Sequence, residues 1–314
     1  MVSAAPADMA KMAAVVERNA SAEWITFVAP GRVPWAEEIA EALAAGMPGR
    51  GDVLLVPVDD ANGEGNVRAH LRLLPPRIQI FVEAPERNHF VAVRRNSLAM
   101  PNALRDVAHP LWDFVARISD VPNAVNWQNA PFRGNSDGSV EWDYPELAPA
   151  EPGRGLRWLQ DRIRQLDVDT ALENRGSRNR ATNVRAGLLQ LNGFLTASHE
   201  LAQTIEGDPN ADYWHGIMHR REPDASNAKY WFRHVGRHPV FEPLADAADA
   251  VLSNCESSQT SSWRSRIVRS GRWEPNAFID LCEECRHADG HPLEQRARLI
   301  QWIEMLLLLQ WSLK

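Results

Sequence analysis

The chain predicts an α/β N-terminal domain, a small parallel sheet with flanking helices, followed by an all-α helical domain. Three observations carry that reading. Residues 23–118 alternate β-rich runs with helical ones; residues 119–155 turn to Pro, Gly, Asn and Asp; beyond them the apolar residues recur near every 3.6 positions. The domains then span 1–145 and 156–314, joined by a Pro/Gly/Ala linker at 146–155.

In order along the first half, "WITFVAP" (24–30) predicts a strand and "PWAEEIAEALAAGM" (34–47) an amphipathic helix. "DVLLVPVDD" (52–60) predicts a second strand, "NVRAHLRLL" (66–74) a helix, and "RIQIFVEAP" (77–85) a third strand. Continuous apolar strands separated by helices point to a parallel sheet covered on both faces, with "HPLWDFVARI" (109–118) as a further covering helix. Beyond the linker, helices are expected at 156–167, 183–206, 211–222, 227–234, 241–253, 261–269, 275–287 and 292–313. Within the second of these, "LLQLNGFLTASHELAQTIEG" (188–207) reads as continuous helix closed by Gly207.

Composition narrows the function. A net charge of −7 argues against a nucleic-acid-binding surface, which needs a basic face to displace counterions. Three cysteines provide no disulfide framework and suit a reducing cytoplasm. The first twenty residues carry charges that interrupt any signal-peptide core. The longest apolar run, "MLLLLQW", is too short to cross a bilayer. A soluble cytoplasmic protein is expected.

Residues 211–240 hold four histidines, four arginines, two tryptophans and two tyrosines. Asp212, His215, His219 and Glu222 recur at spacings of three, four and three, so they share one helix face. Histidines four apart can aim at one ion, and His199 from the preceding helix would complete a three-histidine site with an open position for water. The expected cofactor is a divalent metal ion (Zn, Fe or Mn). Glu222 or Asp212 would be the base or would orient a ligand. Asn192 shares a face with His199. After the break at "PDASN", where Ser226 or Asn227 is expected to cap the next helix, Lys229 and Arg233 stand four apart, as do Tyr230 and His234. With Arg220 they are expected to hold an anionic group. The competing readings are a metal-free polar pocket and a solvated, ion-paired surface.

Residues from about 183 onward resemble an uncharacterised all-helical family of bacterial proteins carrying a motif like "DYWHxIMHRRExDxSNxKYWFRxVGxHP", matched here across 212–239. The resemblance implies a shared site built from Asp212, His215, His219, Arg220, Glu222, Asn227, Lys229, Tyr230, Arg233 and His238, with His199 as a further position. It implies no particular reaction. "CEECRHADGH" (282–291) has the cysteine spacing of a zinc ligand set, but its helical periodicity favours two buried cysteines acting as small hydrophobes. In the first half, "WITFVAPGRVPWAEEIAEALAAG" faintly resembles the opening strand and helix of bacterial TIR-like domains; Glu83 and Glu86 do not fit the catalytic pattern of those that cleave NAD. That domain is expected to be a scaffold or protein-interaction module, TIR-like or otherwise Rossmann-like.

The leading expectation is a metal-assisted hydrolase of a small anionic substrate, acting in the helical domain. The alternative is a non-catalytic signalling or defence-associated binding protein, with an α/β interaction domain and an anion-sensing helical pocket.

Overall fold

The computed structural model describes residues 18, 21, 23–27, 32–34, 51–59, 70–82, 89–98, 109–121, 124–127, 132–136, 144–150, 156–253, 258–288 and 290–314. The protein is mostly helical with one small mixed sheet. Its chain falls into two compact units, Met1–Trp142 with Gly153–Leu159, and Asp143–Pro152 with Gln160–Lys314.

The first unit contains strands β1 (Trp24–Phe27), β2 (Arg32–Pro34), β3 (Val53–Asp59), β4 (His89–Arg94), β5 (Val125–Trp127) and β6 (Phe132–Ser136). Short helices α1 (Pro76–Gln79) and α2 (Arg95–Leu98) and the longer α3 (Pro110–Ile118) lie between them. The strand order is β1-β4-β3-β6-β2, with β5 also paired to β3. The expected all-parallel arrangement does not hold. β3 runs parallel to β5 and β6, while β4 is antiparallel to both β1 and β3, and β2 is antiparallel to β6. A continuous apolar strand reports burial on both faces, and burial does not encode direction. Leu54 and Leu55 of β3 and Val91 and Val93 of β4 are buried, as are Leu111, Phe114 and Val115 of α3.

The third expected strand, 77–85, is also corrected. Pro76 occupies the first turn of α1, and the amides of Ile78 and Gln79 bond back to the Pro75 carbonyl, so the run starts as a helical turn. Ile80, Phe81 and Val82 continue it as buried turn residues, and residues 83–85 lie outside the described residues. The strand in its place is β4. Of the two early helices, residues 70–72 are helical, whereas 35–47 and 66–69 lie outside the described residues.

Helices α4 (Arg157–Gln165), α5 (Val168–Ala171), α6 (Arg178–Leu191), α7 (Leu195–Gln203), α8 (Pro209–Arg221), α9 (Ala225–Val235) and α10 (Phe241–Ser253) follow. Then come α11 (Ser258–Ile267), a two-stranded ribbon β7 (Val268–Arg269) and β8 (Arg272–Trp273), α12 (Pro275–His287) and α13 (Glu294–Ser312). The ribbon departs from the all-α expectation. It ends the helix expected at 261–269 at Ile267 and turns at Ser270 and Gly271, whose positive φ values of 53° and 74° suit a tight hairpin. The continuous helix expected at 188–207 breaks after Leu191, because Gly193 adopts φ 77° and α7 restarts at Leu195.

In the second unit α13 is the central helix, buried from Ile300 to Leu309 and packed on by α6, α8, α10 and α12. Residues 144–150, which include the start of the linker expected at 146–155, lie against these helices. Arg298 donates to the Tyr144 carbonyl, and Gln301 and Arg221 donate to that of Glu146. Among the described residues no helix is long and apolar enough to cross a membrane.

Candidate metal centre

α8 begins where Asp208 accepts hydrogen bonds from the amides of Asn210 and Ala211 and Pro209 fixes the first turn. Every residue from Ala211 to Arg221 is buried, so α8 is enclosed on all sides despite its polar composition. Three stripes of that helix meet different neighbours.

The first stripe meets α7 and α9. His215 and His219, one turn apart, face His199 of α7, and one candidate ligand atom from each lies within 4.8 Å of the other two. Ring centroids are 4.5 Å apart for His199 and His215, 5.4 Å for His199 and His219, and 4.9 Å for His215 and His219. A tetrahedral ion with bonds near 2.1 Å wants nitrogens about 3.4 Å apart, which side-chain movements of about an ångström supply. Trp231 of α9 stacks on His215 at 3.8 Å and 19°, holding its ring plane. Glu222 places a carboxylate oxygen 3.3 Å from His219 Nδ1, and Asn227 Nδ2 lies 3.0 Å from His219 Nε2. His215 and His219 are 3% and 6% exposed, while His199 and Asn227 are half-buried and the Glu222 side chain is 60% exposed. The centre thus has a dry floor and a wetter rim.

Burial, and then the neighbouring His199 and His219, push His215 down to about 3. His219 is lowered as well, by burial and by His199, against the opposing pull of Glu222 and Asp224. Both rings are neutral at neutral pH, which leaves each a lone pair for a metal. Among the described residues this is the one set of three or more His, Cys, Asp or Glu side chains whose ligand atoms converge. The three histidines together can hold a metal ion.

The second stripe, Tyr213 and Arg220, meets α13. Arg220 Nη2 lies 2.5 Å from Glu304 Oε2, the Tyr213 hydroxyl donates to Glu304 Oε1 at 3.0 Å, and Gln301 Oε1 is 3.4 Å from Arg220. Phe278 of α12 stacks under the guanidinium at 4.7 Å. Burial works against the charge on Arg220, yet Glu304 raises its pKa above the ordinary value. The third stripe places Trp214 against Gly187 of α6, and Arg221 donates to the Gln190 carbonyl.

Several expected site residues are therefore placed elsewhere. Arg220 is a buried ion-pair partner. Asp212 Oδ1 accepts the Gly207 amide at 3.0 Å and closes the α7–α8 turn. Asn192 Nδ2 donates to the Leu188 carbonyl at the end of α6. Lys229 Nζ is 2.5 Å from Asp280 of α12. Tyr230 is 45% exposed on the outer side of α9, against His234 and Arg233. His238 is buried, with Nε2 3.0 Å from Asn210 Oδ1 and Nδ1 accepting the Val240 amide, and burial pushes it down to about 4. The cap of α9 is Asp224, which accepts the Asn227 amide, in place of the expected Ser226 or Asn227.

Cys282 and Cys285 are buried on α12, and burial pushes both thiols up to about 12. Cys285 lies 3.2 Å from His291 Nδ1, and His287 is exposed. Sequence spacing did not reveal Trp231 as the wall of the centre or Glu304 as the partner of Arg220. A single acid inside "MLLLLQW"-type apolar surroundings was the available signal for Glu304, because an unpaired carboxylate is too costly to bury. No family model, curated protein or solved structure matches the chain.

Proposed function

We propose that the protein is a metal-assisted hydrolase whose centre is His199, His215 and His219. The observation that supports this reading is the convergence of three imidazoles, two of them neutral and nearly dry, beside a half-buried third. A divalent Zn, Fe or Mn ion there acidifies a coordinated water to a pKa of about 7 and makes it nucleophilic at neutral pH. The protein's own groups do the rest. Trp231 keeps His215 from rotating, and Glu222 accepts a hydrogen bond from His219 Nδ1–H, which would turn Nε2 toward a metal ion. Asn227, which touches His219 Nε2, yields that position when the ion binds. The exposed Glu222 carboxylate would also serve as the base for a water held there.

The ligand set is uncharged, so the ion keeps its full positive charge and draws an anionic substrate. Arg220 and Lys229 take no part in that attraction, being committed to Glu304 and Asp280. Metal-stripped protein reloaded with Zn, Mn or Fe is assayed against small phosphate and carboxylate esters. Hydrolysis should depend on the ion, and Glu222→Gln should lower turnover by about 10²-fold without removing the metal. Loaded protein that hydrolyses none of them, or a Glu222→Gln variant with full turnover, contradicts the reading.

A further inference from the structure

A groove of about 980 Å³ opens in the second unit, and it shares no lining residue with the three histidines. Its walls are the last turn of α9, the loop after it, the first turn of α10, the β7–β8 turn and the start of α12. Three guanidiniums line it: Arg233, Arg237 and Arg272. All three are exposed, and among the described residues none has an ion-pair partner, although Glu242 and Glu274 line the same groove. In the same unit Arg180, Arg220 and Arg264 are paired, with Asp169, Glu304 and Asp249.

Two further observations distinguish the groove from an ordinary charged surface. The thirteen-residue helix α12 begins at its wall, and its first turn receives no side-chain cap hydrogen bond from Glu274. Trp273, a wall residue only 4% exposed, has an indole N–H without a partner. Gly236 and Gly271, with φ of 61° and 74°, let the loop and the hairpin bend around the space.

From these we infer that the groove is a binding site for an organic phosphate of nucleotide size, separate from the histidine centre. Guanidiniums present planar forks that match phosphate oxygens, and three of them with a helix N-terminus favour a doubly charged anion over a single carboxylate. The volume exceeds what inorganic phosphate fills and suits a small-molecule ligand. Glu242 and Glu274 accept hydrogen bonds from the ligand's sugar hydroxyls, which explains acids standing unpaired beside arginines.

Calorimetric titration of the full-length protein with adenosine monophosphate, ribose 5-phosphate, adenosine and inorganic phosphate tests this. The two phosphate esters should bind. Arg237→Ala with Arg272→Ala should weaken their binding in the groove at least about ten-fold, the corresponding Lys pair less, and His215→Ala should leave this arginine-dependent binding in place. Circular dichroism melting checks that each variant is folded. Four results overturn the inference: neither ester binds; adenosine or inorganic phosphate binds as tightly as the esters; folded arginine variants bind undiminished; or His215→Ala abolishes binding, which would place the ligand at the histidine centre.

Discussion

His215 and His219 illustrate how one type of side chain is set by its surroundings. On an open helix face they would titrate near 6.5. Packed beneath Trp231 and beside His199 they stay neutral, His215 down to about pH 3 and His238, in its own pocket, down to about 4. The unfolded chain takes up protons below about pH 6.5 while the native protein does not, so their contribution to stability is complete above 6.5 and shrinks as pH falls. Melting temperature should therefore decline steadily from pH 6.5 to 5, ahead of carboxylate protonation. A melting temperature that is flat or rising across that interval contradicts the burial of neutral rings. Arg220 and Glu304 behave differently, because the buried charge of each is compensated by the other. Arg220→Met should cost about 3–5 kcal/mol in denaturant unfolding, and adding Glu304→Leu should recover most of it. Additive losses would show that the pair is not the reason for the cost.

At the scale of elements, α8 explains most of what was legible and most of what was not. Spacings of four within α8 placed His215 and His219 on one face, and His199 on the neighbouring helix was correctly expected to meet them. The same spacing could not show that Arg220 turns the other way, into α13, because polar residues on an enclosed helix look like those on a solvated one. The break between α6 and α7 escaped notice because Leu191 and Leu195 keep the apolar period across it; the Asn192–Gly193 pair was the local signal. The run 77–85 reads as a strand although its described part, 77–82, turns as a helix, because Ile78, Ile80, Phe81 and Val82 are buried in either conformation. Close approach of α6 and α8 depends on Gly187, where an added Cβ would stand 2.5 Å from Trp214 Cζ2. Gly187→Ala should destabilise by about 1–3 kcal/mol on urea unfolding, whereas Gly207→Ala, with open space around it, costs only its backbone conformation. Equal losses at the two positions would mean that the contact with Trp214 is not limiting.

For the whole molecule, the change of rhythm near residue 150 marks where helices replace strands as the main element, while strand direction, which no apolar pattern encodes, did not follow from it. The stretch read as a linker, 146–155, includes the buried Leu147 and the Glu146 carbonyl bound by Arg221 and Gln301; just before it Tyr144 is buried, its carbonyl bound by Arg298. A fragment starting at residue 143 should therefore unfold cooperatively and keep the histidine centre, whereas one starting at 156 should melt at a lower temperature. Identical melting of the two fragments would show that those carbonyl contacts contribute nothing. The central claim, that His199, His215 and His219 form a metal centre, is tested most directly by elemental mass spectrometry of protein purified without a histidine tag. The account predicts about one Zn, Fe or Mn per chain, falling to a small fraction in His215→Ala and in His199→Ala. Metal-free wild-type protein that also binds none of these ions on titration, or variants with unchanged metal content, would contradict it.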